Sequence, residues 1–147
     1  MYNFLISEWS AEIIDKGYRI LKLNHDCIRD VLLFAEELPY NNQVTNDSIF
    51  ESERLEKYSK DEICYTITKI GNDDAKLING YVKIASGKPY ITCIKSLTFE
   101  GHKYLDNIRD PKIWKESKKI SSKITSVSID IMSTIASNVI MKTLKLD

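Results

Sequence analysis

The sequence predicts an α+β domain in which three helices precede a β-hairpin and further helices follow it. Two observations carry that reading. One stretch is rich in β-formers, residues 80–85 and 90–97, and it is split by the turn-forming run Ser86-Gly87-Lys88-Pro89. On both sides of it apolar residues recur at helical spacing, behind residues that can cap a helix start: Asn24, Ser59, Thr98 and Asp110.

Taken in order, residues 1–22 read as an N-terminal extension docked on the core. Ile6, Trp9 and Ile13 share a helical face, Gly17 is a stop, and 18–23 is a short strand or lead-in. Asn24 then caps a helix with Ile28, Val31, Leu32, Ala35 and Leu38 on one side, ending before Pro39. The polar run 39–48 is a loop, and residues 49–57 are a second helix burying Ile49, Phe50 and Leu55. Ser59-Lys60-Asp61-Glu62 is a capping box that opens a third helix with Ile63, Ile67 and Ile70 on its buried face.

After the hairpin, Thr98 caps a helix through Ile108, and Asp110-Pro111 starts another, with Pro where its missing amide costs nothing. On that helix Ile113, Ile120 and Ile124 share one side. A last helix over 128–146 carries an apolar stripe of Ile129, Met132, Ile135, Ala136, Val139, Ile140 and Leu144. Three helices and a hairpin in this order match a winged helix-turn-helix. The expected division is an extension (1–22), a winged-helix domain (23–109) and a C-terminal helical pair for packing or oligomerisation (110–147). Ile63, Ile67, Ile70, Leu97, Leu105 and Ile108 should share one core with Ile28, Leu32 and Ala35.

A chain of 147 residues with 43% hydrophobic and 29% charged residues can bury a core without metal or disulfide staples. Its 21 basic and 21 acidic residues balance, so the molecule as a whole lacks a basic excess. The charges are nevertheless segregated. Residues 24–59 hold eight acids and three bases, whereas residues 60–98 hold six bases and four acids. Three cysteines, Cys27, Cys64 and Cys93, form no CxxC pair and read as core thiols in a cytoplasmic protein. Polar residues interrupt 124–144 too often for a membrane span.

Residues 97–114, from Leu97-Thr98-Phe99-Glu100-Gly101-His102 through Leu105-Asp106-Asn107-Ile108-Arg109-Asp110 to Trp114, resemble the signature of a bacterial and prophage family of winged-helix proteins of unassigned function. Residues 23–33 and 58–63 are also similar to it, and the likeness extends over about 23–146. The resemblance implies a winged-helix core with appended C-terminal helices, and brings no catalytic residues and no ligand. Family members close the third helix with an Ala-Gly pair. Here Ile70-Gly71-Asn72-Asp73-Asp74 is longer.

The leading functional expectation is a non-enzymatic regulator that binds double-stranded DNA in transcriptional or phage control. Tyr65, Thr68, Lys69 and Asn72 would face the major groove from the third helix, and Lys88 would touch the backbone from the hairpin. Asp61, Glu62, Asp73 and Asp74 bracket that helix with charges that phosphates repel. A second basic candidate is the stripe Lys112, Lys115, Lys119 and Lys123, which also reads as a solvated helix face. The alternative expectation is an adaptor that meets a host or phage protein. His25-Asp26 and Glu100-Gly101-His102 lack the further partners that catalysis needs, so no enzyme activity, metal or cofactor is expected. Trp114 reads as packing the last helices or as an interface anchor. The C-terminal stripe predicts a homodimer, against a monomer whose last helix folds back on Trp9, Ile13 and Trp114.

Overall fold

Asn24 opens helix α1 (His25–Glu36) by accepting from the amides of Asp26 and Cys27, while its own Nδ2 donates to Glu62 Oε1 at 2.8 Å. The computed structural model describes residues 22–146, so the expected helix and lead-in of residues 1–21 lie outside the described residues. Ser59 starts helix α3 (Lys60–Ile70) as expected, accepting from the Glu62 amide. The Asn24–Glu62 bond therefore fixes the starts of α1 and α3 against each other.

Between them the chain departs from expectation twice. The predicted loop 39–48 contains a two-residue strand, β1 (Val44–Thr45), paired antiparallel with the hairpin at Val44↔Ile94 and Thr45↔Cys93. Asn46 extends the pairing, donating its amide to Thr92 O and accepting the Thr92 amide on Oδ1. The predicted helix 49–57 is instead a short helix, α2 (Asp47–Phe50), followed by turns. Amides of Ser52, Leu55 and Tyr58 bond the carbonyls of Ile49, Ser52 and Leu55 in succession. That three-residue step puts Ile49 and Leu55 on the same side, where both are fully buried. Tyr58 and Lys57 then bond the buried Asp30 carboxylate at 2.5 and 3.1 Å, pinning the segment to α1. Burial and the Asp30 charge hold the Tyr58 phenol well above its ordinary pKa.

The hairpin consists of β2 (Ile78–Ala85) and β3 (Lys88–Leu97), each a little longer than the β-formers alone suggest. Ser86 and Gly87 are both left-handed, which makes a tight two-residue connection whose twist matches the strands. The sheet is antiparallel with order β1-β3-β2. Helices α1 and α3 cover one face with Ile28, Leu32, Ile63, Ile67 and Ile70, all without solvent exposure. Cys27 belongs to this core. The Thr66 hydroxyl donates to its sulfur, but burial dominates and pushes the thiol up to about 12.

Helix α4 (Phe99–Ile108) leaves the hairpin directly, because Thr98 accepts the Gly101 amide and donates its own hydroxyl to Lys76 O. Here Gly is obligatory on steric grounds: a Cβ on Gly101 would stand 1.9 Å from Leu77 O. Helix α5 (Pro111–Ser121) is capped by Asp110, with Pro in the first turn as predicted. Arg29 of α1 donates to the carbonyls of Ile108 and Arg109, satisfying the end of α4. Leu97, Leu105 and Ile108 join α1 and α3 in one core, as expected. Ile113 is buried on α5, but Ile124 lies past the helix end and is 59% exposed, because the buried side runs through Trp114 and Ser117 instead.

Helix α6 (Ile129–Thr143), capped by Ser128, packs on α4 and α5. Of its stripe only Met132 and Ala136 are fully buried; Ile129, Ile135, Val139 and Ile140 are half-buried and Leu144 is exposed. The sequence overstated that burial because the apolar stripe spans about half of the helix surface, wider than the side that packs on α4 and α5. No helix among the described residues is long and apolar enough to cross a membrane.

Candidate nucleic-acid interface

The expected contact residues of α3 are placed unequally. Thr68 is exposed, and its hydroxyl donates to Cys64 O in the preceding turn. Tyr65 is half-buried with the Lys69 ammonium 5.6 Å from its ring centre, and the same ammonium pairs with Asp74 at 3.6 Å. Asn72 lies beyond the helix end. Its amide donates to Gly80 O, and its Oδ1 accepts the Gly80 amide at 3.0 Å, so it binds the end of α3 to the root of β2. One side of the Asn72 carboxamide is thereby spent on the fold, and Lys69 already has a carboxylate beside it.

Charge around this face is unfavourable to phosphate. Asp47, Glu51, Glu53, Glu56, Asp61, Asp73 and Asp74 are all exposed on α2, α3 and the turns that flank them. The hairpin is the opposite. From residue 75 to residue 99 there are four lysines, Lys76, Lys83, Lys88 and Lys95, and not one Asp or Glu. None of the four makes an ion pair among the described residues, and all are exposed. Lys88 stands beside the turn, and Lys83 lies 5.5 Å from the Tyr81 ring centre. Ile84 and Tyr90 near the tip are 62% and 54% exposed. Lys83 escaped the sequence reading, although the acid-free run from 75 to 99 was visible in the residues themselves.

Lys112, Lys115 and Lys119 on α5, and Lys123 just past its end, are exposed and unpaired among the described residues. Lys118, between them, turns inward and bonds both oxygens of Asp26, at 2.9 and 3.1 Å. Trp114 is 5% exposed and donates to the same carboxylate, so it packs the domain together and does not present a surface anchor. His25 Nε2 meets Val127 O at 2.9 Å, joining α1 to the start of α6, and His102 is exposed on α4. The two histidine–carboxylate pairs are thus not brought together.

The architecture is that of an α+β domain: six helices and a three-stranded antiparallel sheet among the described residues, with lysines on a hairpin whose tip is exposed. The chain belongs to the family described as Hypothetical protein (DUF2513), which matches residues 22–128 and so ends at the cap of α6. No curated protein and no solved structure matches the chain.

Proposed function

We propose that the core is a winged helix that binds duplex DNA with its β-hairpin as the leading contact, serving a regulatory role in transcription or phage control. The order α1, β1, α2, α3, β2, β3 supports the winged-helix reading. The observation that carries DNA binding is the hairpin: four lysines unpaired among the described residues, no carboxylate, and exposed Ile84 and Tyr90 near its tip. Phosphate contacts supply affinity without sequence information, so this surface accounts for general duplex binding. Base reading from α3 is left to Thr68 and, once freed from Asp74, to Lys69.

The test is a fluorescence titration of random duplex DNA at several salt concentrations. Affinity should fall steeply with salt, by a slope of about 0.9 per neutralised phosphate. A chain that fails to bind at low salt sinks the proposal.

A protein-interaction module is the second reading. The acidic surface of α2 and α3 favours it, and so do Ile131, Met141, Leu144 and Leu146, which are all at least 40% exposed on and after α6. Absence of duplex binding together with a partner captured through the acidic surface would select it.

A further inference from the structure

The root of the hairpin forms one wall of a polar cleft of about 620 Å³, well apart from the tip. The other walls are the end of α1 with the loop after it, and the first turns of α4. A volume of this size suits a small molecule. Five of the ten Asn and Gln side chains in the sequence converge here: Asn41, Asn42, Gln43, Asn72 and Asn79. Their bonds within the protein are few. Asn72 uses only its oxygen, on the Gly80 amide, and Asn79 only its nitrogen, on Ser96. Gln43 accepts from Cys93 Sγ at 3.9 Å, and Asn41 and Asn42 use neither end among the described residues, so the cleft offers donors and acceptors side by side.

Its charges point one way. Lys95 has no carboxylate partner among the described residues, and His102 stands at the same cleft with no hydrogen bond there. The one acid lining it, Glu36, is bonded by both the Nε and Nη2 of Arg109, which also holds Asp106 outside the cleft. The unpaired charge lining the cleft, among the described residues, is that of Lys95. Tyr40 is 93% exposed at the edge, an uncovered ring where a planar group can stack.

We propose that this cleft binds a nucleoside monophosphate. Carboxamides that present donor and acceptor together match the mixed edge of a nucleobase, as Asn and Gln do when they read adenine. Lys95 supplies the cation for one phosphate, and the His102 ring a further hydrogen-bonding nitrogen beside it. Tyr40 provides the stacking surface. A neutral sugar leaves the Lys95 ammonium without a partner, and a bare phosphate leaves the carboxamides and the ring unused. The site is independent of the duplex-binding hairpin tip, since neither Lys83 nor Lys88 lines it.

Isothermal titration of the full chain with AMP, GMP, CMP and UMP tests the assignment, with the matching nucleosides and inorganic phosphate as separate arms. At least one monophosphate should bind once per chain, about tenfold or more tighter than its nucleoside and than phosphate alone. Lys95→Glu combined with Asn42→Ala should weaken it by a similar factor. Both residues are exposed, so the thermal midpoint should stay put, and Asn42→Ala alone provides a milder variant. Lys83→Glu with Lys88→Glu should leave nucleotide binding intact even where duplex binding is lost, which separates this site from the hairpin proposal. Failure of all four monophosphates to bind at millimolar concentration overturns the assignment. So does a monophosphate affinity that survives Lys95→Glu with Asn42→Ala.

Discussion

The indole of Trp114 donates to Asp26 Oδ1 at 2.8 Å across a sequence separation of 88 residues, with the Lys118 ammonium on the same carboxylate. This joins the first turn of α1 to the middle of α5. Burial raises the Asp26 pKa, but the bonds from Lys118 and Trp114 and the charges of Lys118 and Arg29 outweigh it, and the carboxyl ends below its ordinary value.

A pH dependence follows from that direction. A carboxylate whose pKa is depressed on folding contributes stability above its unfolded value, and the contribution disappears as pH falls through the folded value. Asp26→Asn should therefore unfold at lower urea concentration than the parent at pH 7, and the gap should close below about pH 4. Equal midpoints at pH 7 would show that the pair contributes nothing. Trp114→Phe removes the hydrogen bond and part of the buried indole and should cost about 1–3 kcal/mol, against about 3–5 kcal/mol for Trp114→Ala.

Ile67 sits fully buried at the centre of α3, so Ile67→Ala should cost about 2–5 kcal/mol in chemical denaturation. An effect below about 0.5 kcal/mol would contradict its place in the core.

Gly101→Ala is the smallest change expected to be severe. Its methyl meets the Leu77 carbonyl, a backbone atom that cannot swing aside, so a cost of about 1–3 kcal/mol or more is expected in thermal melts. Gly87→Ala meets no atom, but Gly87 has φ +75, so the cost there is strain alone and should be smaller.

For DNA, Lys83→Glu with Lys88→Glu should abolish duplex binding at moderate salt while leaving the melting midpoint nearly unchanged, since both side chains are exposed. Lys69→Glu should have a weaker effect, because Asp74 already offsets that charge. Undiminished binding by the hairpin variant would move the contact to Lys112, Lys115, Lys119 and Lys123.

Association through α6 is expected from its uncovered apolar residues. Light scattering at micromolar concentration should give twice the 17.0 kDa chain mass, and Ile131→Asp with Met141→Asp should return it to a monomer. A monomeric parent chain rules the dimer out.

The elements legible in the sequence were those with a strong local cause. Asn24, Ser59, Thr98 and Asp110 cap the helices they were expected to cap, and the period of Ile63, Ile67 and Ile70 gave the buried face of α3. What escaped depends on distant partners. Val44–Thr45 is a strand only because β3 lies beside it, and two residues carry no periodic signal. The segment from Ser52 to Tyr58 follows a three-residue step set by Asp30 on α1. In the candidate interface, residue type foretold which side chains were polar and exposed. It did not foretell that Asn72 would be tied to Gly80, or that five carboxamides from separated segments would meet at one cleft.

Helix α1 holds the molecule together through residues that come long after it: Glu62, Ile108, Trp114 and Val127. During synthesis those partners arrive late. At about 5–20 residues per second, α1 waits roughly 5–20 s between its own emergence and that of Val127. Its apolar face, Ile28, Val31 and Leu32, closes first on α3 and the sheet, while the bonds from its first turn to Trp114 and Val127 form last. The hairpin, whose strands are joined by two residues, can form as soon as it appears. Nascent chains that stop short of Trp114 therefore hold a finished hairpin and an α1 whose first turn still lacks the partners of Asp26 and His25.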